Sequence, residues 1–218
     1  MNWLCCFSLL LISTSCSSDS NDSSEEMEEV IVTPARTLIP DTAFENALIE
    51  LNIDDVVDGS VLTEDIKDVT SLVLNDKGIS NLAGLEDFSK LDNLWVNDNA
   101  LTTLDVSQNP LLKFVFAENN QLTSLTVTNL TVLEKLEVSN NEISSLNLTD
   151  NSLLQVLGLK NNALSSLDIS AINNSIQLNT FSIENNPLSC IKVNAEILSN
   201  IRPQWTKDET DTFALECN

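Results

Sequence analysis

The chain has 218 residues, of which 33 are acidic and 10 basic, so its formal net charge is −23. This charge repels nucleic-acid phosphates, and we expect no nucleic-acid partner. Because the sequence contains no histidine, and no paired nucleophile and base, phosphate-binding loop or zinc-ligand spacing, we expect neither enzymatic activity nor a cofactor or metal site.

The first 15 residues are predicted to be a signal peptide. Residues 3–12 form an apolar run that is too short to span a bilayer. Residues 13–16, Ser-Thr-Ser-Cys, resemble a lipobox, the site at which signal peptidase II cleaves before a lipidated cysteine. The resemblance implies a lipid on Cys16 and membrane attachment through that lipid alone. The alternative is an ordinary secretory signal in which Cys16 is incidental.

Residues 16–37 are predicted to form a tether. They are rich in serine, aspartate and glutamate, and they carry too few apolar side chains to bury a core. The composition resembles the tethers of Bacteroidota lipoproteins, in which serine and acidic residues after the lipidated cysteine can direct export to the outer surface. The resemblance implies a lipid-anchored protein of the bacterial outer membrane that is exposed at the cell surface.

Residues 38–68 are predicted to form an N-terminal cap. Asp41 is a candidate helix N-cap, because aspartate readily accepts hydrogen bonds from the first N–H groups of a helix. Phe44, Ala47, Leu48 and Leu51 fall on one face of the helix that would follow. This apolar face would cover the open end of a repeat array.

Two short motifs within the cap resemble known sites. Residues 41–43, Asp-Thr-Ala, resemble an O-glycosylation acceptor of Bacteroidota, but Asp41 is already assigned to the helix cap. Residues 54–65 superficially resemble a calcium-binding loop, although Val56 occupies a position that requires an oxygen ligand. We therefore interpret the second motif as a structural turn.

Residues 69–193 contain an internal repeat. Asparagine recurs at one position of each copy, with spacings of 21, 21, 21 and 24 residues. The asparagines of this column are Asn99, Asn120, Asn141, Asn162 and Asn186, with Lys77 in the same place in an earlier, degenerate copy. Each copy follows the pattern LxxLxLxxNxL and then has a second short apolar pair. We expect the leucines to point inward from a short strand and the asparagine to bond main-chain groups where the chain turns.

This pattern resembles that of leucine-rich-repeat proteins, and over residues 38–218 the chain resembles the Bacteroidota leucine-rich-repeat surface lipoproteins. The resemblance implies an α/β-type leucine-rich-repeat solenoid with a parallel β-sheet on its concave face and short extended or irregular convex segments. Each repeat would bury its apolar side chains only against its neighbours, so both ends need caps. We expect the protein to be a monomer.

Residues 194–218 are predicted to cap the C-terminal end. Cys190 and Cys217 are the only cysteines in the part of the sequence predicted to fold, and such a pair in an exported protein indicates a disulfide. This bond would hold Trp205 and Phe213 over the last coil. Two free thiols are the alternative.

The side chains that point out of the predicted concave sheet are the candidate ligand-binding residues. Because side chains alternate along a strand, the repeat columns place Trp95, Phe114 and Phe116 on adjacent strands with Val73 beside them. Large aromatic side chains are uncommon on a free surface and dominate binding hot spots. The other residues predicted to contact a ligand form a polar rim, which consists of Asn97, Lys135, Glu137, Lys160 and Glu184.

These features predict a surface lipoprotein that binds a protein partner through its concave face. A flat aromatic platform also suits sugar rings, so a glycan-binding accessory protein of a polysaccharide uptake system is an alternative. A structural envelope protein without a specific ligand is another. In that case the aromatic residues would form a cross-strand packing cluster or lie partly beneath the N-terminal segment.

Overall fold

The computed structural model describes residues 33–173 and 178–217. Its first elements are strand β1 (Arg36–Leu38), helix α1 (Thr42–Glu50), strand β2 (Ser60–Leu62) and the short helix α2 (Thr63–Ile66). Strands β1 and β2 pair in an antiparallel manner, with Thr37 opposite Val61. The predicted boundary between tether and cap, after residue 37, falls inside β1. The predicted signal peptide and the lipidation site lie outside the described residues.

Helix α1 begins at the predicted cap. The carboxylate Oδ1 of Asp41 accepts hydrogen bonds from the N–H groups of Ala43 and Phe44, at 2.9 and 3.0 Å. Phe44, Ala47 and Leu48 are buried against the first turn of the repeat array. The N-cap and these three positions of the apolar face are therefore confirmed.

Leu51 does not belong to the buried face of α1, and this part of the prediction is wrong. The helix ends at Glu50, and Asn52 adopts a left-handed conformation with φ of 57°, so the chain turns away and leaves Leu51 40% exposed. Glu45 is buried instead. Its carboxylate accepts hydrogen bonds from the N–H groups of residues 58–60, at 2.6 to 3.1 Å, and so anchors the loop before β2.

Each following turn of the chain adds a short strand to a parallel main sheet. In the described residues, this sheet consists of β3 (Ser71–Val73), β4 (Asn93–Trp95), β6 (Phe114–Phe116), β8 (Lys135–Glu137), β9 (Val156–Gly158) and β11 (Thr180–Ser182). The convex side carries β5 (Thr103–Asp105) paired with β7 (Ser124–Thr126), and a second group formed by β10 (Leu167–Asp168), β12 (Cys190–Lys192) and β13 (Thr212–Ala214). Short extended convex segments are therefore confirmed.

The register of the main sheet places equivalent positions of successive repeats side by side. Val73 lies opposite Trp95, which lies opposite Phe116, which in turn lies opposite Glu137. The sequence spacing of 21 or 22 residues thus corresponds to one turn of the solenoid. The rows of outward-facing residues that the spacing predicts are those of the structure.

The core is a stack of aliphatic side chains that point inward from the strands and turns. Leu94, Val115, Leu136 and Leu157 occupy the central position of four successive strands, and all four are fully buried. Each turn therefore packs mainly against the turns before and after it. Consequently, the first and last turns would expose apolar surface if nothing covered them.

The column asparagines connect successive turns through their side-chain amides. The Nδ2 group of Asn141 donates to the carbonyls of Ala117 and Val138 at 2.9 and 3.0 Å, and its Oδ1 accepts from the N–H of Leu122 at 2.9 Å. Corresponding bonds are made by Asn99, Asn120, Asn162 and Asn186. The role predicted for this column is confirmed, and it requires a side chain with both a donor and an acceptor.

Aromatic residues cover the last turn. Trp205 and Phe213 contact Phe181 of β11, with ring centroids 5.5 and 6.2 Å apart. Trp205 is 7% exposed, and its indole N–H donates to the carbonyl of Leu178 at 3.0 Å. The C-terminal residues therefore pack as the sequence predicts.

A disulfide closes the C-terminal cap. It joins Cys190 of β12 to Cys217, which follows β13, with the two Cα atoms 5.8 Å apart. The short helix α3 (Ala195–Ser199) lies between the two cysteines in sequence and was not predicted. The predicted disulfide is confirmed, and it ties the end of the chain to the last convex strands.

Candidate binding surface

Four residues on three adjacent strands form the aromatic cluster, which consists of Val73, Trp95, Phe114 and Phe116. The rings of Trp95 and Phe116 stack with their centroids 5.4 Å apart and their planes 6° from parallel. Phe114 lies on the same face of β6, and Val73 lies beside Trp95 with 50% of its surface exposed. The aromatic side chains are only partly buried, so the cluster combines cross-strand packing with an exposed apolar surface.

Lys135 covers the side of Phe116 that faces away from Trp95. Its ammonium lies 4.8 Å from the centroid of the Phe116 ring, a cation–π contact. Strand β8, which carries Lys135, lies on the opposite side of β6 from β4. Neighbouring side chains therefore cover both faces of the Phe116 ring and one face of the Trp95 indole.

This stacking differs from the flat aromatic platform that the sequence suggested. The rings lie against each other across the strands, because adjacent strands of a sheet bring opposed side chains into van der Waals contact. A ligand that enters the concave face therefore finds no open ring face on Phe116 and at most one on Trp95. The indole N–H of Trp95 has no hydrogen-bond acceptor within the described residues and is available to such a ligand.

Glu137 is a half-buried carboxylate beside the aromatic cluster. A Cβ atom at Gly158 would overlap this carboxylate, so the absence of a side chain on β9 creates the space that Glu137 occupies. Burial raises the pKa of Glu137, the nearby charge of Glu118 raises it further, and Lys135 partly opposes both effects. The ion pair with Lys135 is long, at 3.5 Å, and does not fully offset the effect of burial on this pKa.

We expect Glu137→Gln to raise the melting temperature slightly at pH 7. The native state raises the pKa of this carboxyl group, so the stability that its neutral form contributes is present at low pH and lost as the pH rises through the native pKa. Glutamine at this position is neutral at pH 7 and at low pH. Thermal unfolding below about pH 4 should therefore show no difference between the two chains. A variant that is less stable at pH 7 would contradict the unfavourable environment assigned to this carboxylate.

Lys160 and Glu184 form a second polar pair nearer the C-terminal end of the sheet. Their side chains are 3.1 Å apart, and the hydroxyl of Thr206 donates to Glu184 at 2.7 Å. Burial alone would raise the pKa of Glu184, but the hydrogen bond from Thr206 and the charge of Lys160 lower it overall. This pair is satisfied within the protein, in contrast to Glu137.

Asn97 is on the predicted surface but has a structural role. Its Oδ1 accepts a hydrogen bond from the N–H of Glu118 at 2.8 Å, and its own N–H donates to Oδ1 of Asn75 at 2.9 Å. Glu118, which occupies the same row one repeat later, was not among the predicted ligand contacts. In the described part of the chain, no side chain forms a hydrogen bond or ion pair with its carboxylate. Its position in the row of Asn97 could have identified Glu118 as a concave-face residue.

Comparison with solved structures shows which fold this is. The chain is similar to the functional domain of InlJ from Listeria monocytogenes, with a TM-score of 0.63 and 23% identity. The matched region covers 86% of this chain and 50% of that one. It is also similar to the internalin InlF from Listeria monocytogenes, with a TM-score of 0.60 and 21% identity. That match covers 81% of this chain and 58% of the InlF chain. The fold is a leucine-rich-repeat solenoid. No protein-family model and no curated protein matches the sequence.

These neighbours establish the fold but not the ligand, the partner or the cellular location of this chain. The chain spans about half the length of the first structure and 58% of the second. Both neighbours are Listeria proteins, and the resemblance to Bacteroidota lipoproteins stays a prediction. The same holds for the ligand-binding role of the nine concave residues, which the leucine-rich-repeat sheet does bring onto one face.

The flank of the leucine-rich-repeat solenoid carries a groove that sequence reasoning missed. It has a volume of about 420 Å³ and lies before the first residues of β3, β4 and β6. Leu111 and Val132 form apolar lining, while Lys90, Lys113 and Asp92 border it. These residues lie outside the repeat columns whose side chains point out of the concave sheet.

Asp41 of the first cap motif also binds the loop that follows β3. The second carboxylate oxygen of Asp41 accepts hydrogen bonds from the N–H groups of Ser80 and Asn81, in addition to the helix-capping bonds. Thr42 is exposed, and its glycosylation, which the sequence left as an alternative to the capping role of Asp41, is not tested by these contacts. Within residues 33–173 and 178–217, no group of three or more acidic or cysteine side chains could hold a metal ion. No helix in these ranges is long and apolar enough to cross a membrane.

Proposed function

We propose that this chain is a cell-envelope protein that binds a protein partner through its concave sheet. The observation that carries the proposal is the aromatic cluster, which remains partly exposed although the solenoid has a complete core and two caps. Partly exposed tryptophan and phenylalanine at the centre of a surface are typical of binding hot spots. A leucine-rich-repeat fold supplies the rigid curved surface on which such a cluster is presented.

The packing of the rings favours a protein ligand over a glycan. Sugar rings bind to aromatic residues by stacking on an open face, and stacking within the protein covers both faces of Phe116 and one face of Trp95. Ring edges, a free indole N–H and adjacent charged groups suit the mixed apolar and polar side chains of a polypeptide. The glycan alternative therefore has less support than the protein partner.

Site-specific photo-crosslinking tests the proposal. A benzophenone amino acid in place of Phe114, beside the intact Trp95–Phe116 stack, should yield in intact cells an adduct of defined mass that contains peptides of a second protein by mass spectrometry. The same group in place of Thr126 on the convex strand β7 is the matched control and should yield none. Adducts of equal yield at both positions, or adducts whose added mass is removed by glycosidases and contains no second polypeptide, would contradict a protein partner on the concave face.

Truncation of the stack gives a second measurement of the same site. Trp95→Ala or Phe116→Ala in the crosslinking chain should reduce the adduct yield at least about tenfold, because removing a hot-spot aromatic residue costs 2 kcal/mol or more of binding free energy. Unfolding curves of the variants measure any loss of stability separately. Full crosslinking by a folded Trp95→Ala chain would remove the cluster from the binding site.

Anchoring to the outer membrane by a lipid on Cys16 is a separate proposal. It rests on the sequence of residues 13–16 and on the serine-rich acidic segment that follows, all outside the described residues. Cys16→Ser should move the protein from the membrane fraction to the soluble fraction, since acyl chains supply the membrane affinity. Unchanged membrane fractionation of this variant would reject the anchor, and resistance of the wild-type chain to protease added to intact cells would reject surface exposure.

A further inference from the structure

The carboxylates of Glu118 and Glu137 are incompletely neutralised within the concave face. Glu118 has no ion pair or hydrogen bond to its carboxylate within the described residues. Glu137 has one ion-pair partner, Lys135 at 3.5 Å, whose ammonium also lies over the Phe116 ring. By contrast, Lys160 and Glu184 at the far end of the sheet are paired at 3.1 Å. The unmatched negative charge therefore lies next to the aromatic cluster.

The position of these carboxylates within the sheet is fixed. Glu137 lies directly opposite Phe116 across β6 and β8, and Glu118 lies two residues beyond Phe116 on the same face of the chain. The two charges are close enough that Glu118 raises the pKa of Glu137. An apolar surface and a negatively charged surface thus adjoin on neighbouring repeats, and the space over Gly158 keeps the Glu137 carboxylate at the sheet rather than extended into solvent.

The charge of the whole chain has the same sign as this local surface. A net charge of −23 creates a long-range potential that accelerates encounter with basic molecules and slows encounter with acidic ones. A cationic side chain placed between Glu118 and Glu137 would give Glu118 the partner that the described residues do not provide, and would add a second cation to Lys135 beside Glu137. A neighbouring apolar side chain would then contact the edges of Trp95 and Phe116.

We propose that the concave face binds a polypeptide segment in which an arginine or lysine adjoins an apolar side chain, with the cation at Glu118 and Glu137 and the apolar group on the aromatic cluster. This inference rests on the proposed function and names the chemistry of its partner. Charge complementarity beside an exposed apolar surface is the argument for this occupant.

Selection from random dodecapeptides displayed on phage, with the full chain as target, tests the inference. Enriched peptides should carry arginine or lysine within two residues of an apolar side chain. For a synthetic copy of such a peptide, Glu118→Gln/Glu137→Gln should weaken binding at least about tenfold. Glu196→Gln/Glu209→Gln, which removes the same charge from exposed positions of the C-terminal cap, should change it less than about twofold.

The outcomes separate this inference from the proposed function. Peptides that lose binding in Trp95→Ala but bind Glu118→Gln/Glu137→Gln normally would reject the cationic partner and retain the concave site. Peptides unaffected by Trp95→Ala would reject the concave site itself, and selection that enriches no Trp95-dependent peptide would reject both. Equal weakening by the control double variant would assign the effect to net charge and overturn the specific role of Glu118 and Glu137.

Discussion

Replacing Cys190 and Cys217 together by serine is expected to lower the free energy of unfolding by about 3.5 kcal/mol. The disulfide closes a loop with a sequence separation of 27 residues, and the loss of chain entropy in the unfolded state predicts a stabilisation of this size. The effect should begin at the C-terminal end, because each turn of a solenoid is stabilised mainly by its neighbours. Trp205 fluorescence should therefore report unfolding at lower urea concentration than in the wild-type chain.

Reduction provides the matched control for the cysteine variant. Dithiothreitol should lower the stability of the wild-type chain to that of the double variant and should leave the variant unchanged. Trp95, which lies on the concave face several turns away, should respond less than Trp205. A double variant as stable as the wild-type chain would show that Trp205 and Phe213 hold the cap in place without the covalent bond.

The repeat columns were predictable because, in a solenoid, residues that are one repeat apart in sequence are neighbours in space. Strands alternate their side chains, and one turn takes 21 or 22 residues in most copies, so the row of Val73, Trp95, Phe116 and Glu137 followed from arithmetic. Asp41 was predictable for a similar reason, because the first bonds of a helix N-cap reach only two or three residues along the chain. These features depend on neighbours in sequence or on neighbours exactly one repeat away.

Features that depend on non-periodic contacts were not predictable. Glu45 resembles a solvent-facing helix residue, and its three hydrogen-bond donors come from a loop 13 to 15 residues later that has no repeat pattern. The ring orientation of Trp95 depends on how Phe116 and Lys135 fill the adjacent strands. The column spacing gives the position of a side chain but not its rotamer.

The sequence contains a second asparagine column, one residue before the first, whose structural role was not predicted. Asn119, Asn140, Asn161 and Asn185 each precede a column asparagine, and all have positive φ of 54° to 61°. Their amides form a ladder from turn to turn; for example, Nδ2 of Asn140 donates to Oδ1 of Asn119 at 2.7 Å. Asparagine tolerates the left-handed conformation better than most residues, which explains the recurrent Asn-Asn pair.

Asn141→Ala is expected to lower the free energy of unfolding by about 3 kcal/mol. The substitution removes the bonds to the carbonyls of Ala117 and Val138 and to the N–H of Leu122, each contributing about 1 kcal/mol. Asn141 is only 9% exposed, so water does not readily replace these bonds. Urea-induced unfolding followed by circular dichroism measures the change.

Two further variants test whether the loss of stability comes from the side-chain amide of Asn141. Glu142→Ala alters the adjacent, exposed position and should change the free energy of unfolding by less than about 0.5 kcal/mol. Asn141→Asp keeps an acceptor for Leu122 but replaces the donor with a negative charge beside the two carbonyls, and it should be at least as unstable as the alanine variant. If the aspartate variant were as stable as the wild-type chain, the donated bonds between turns would not be what selects asparagine at this column.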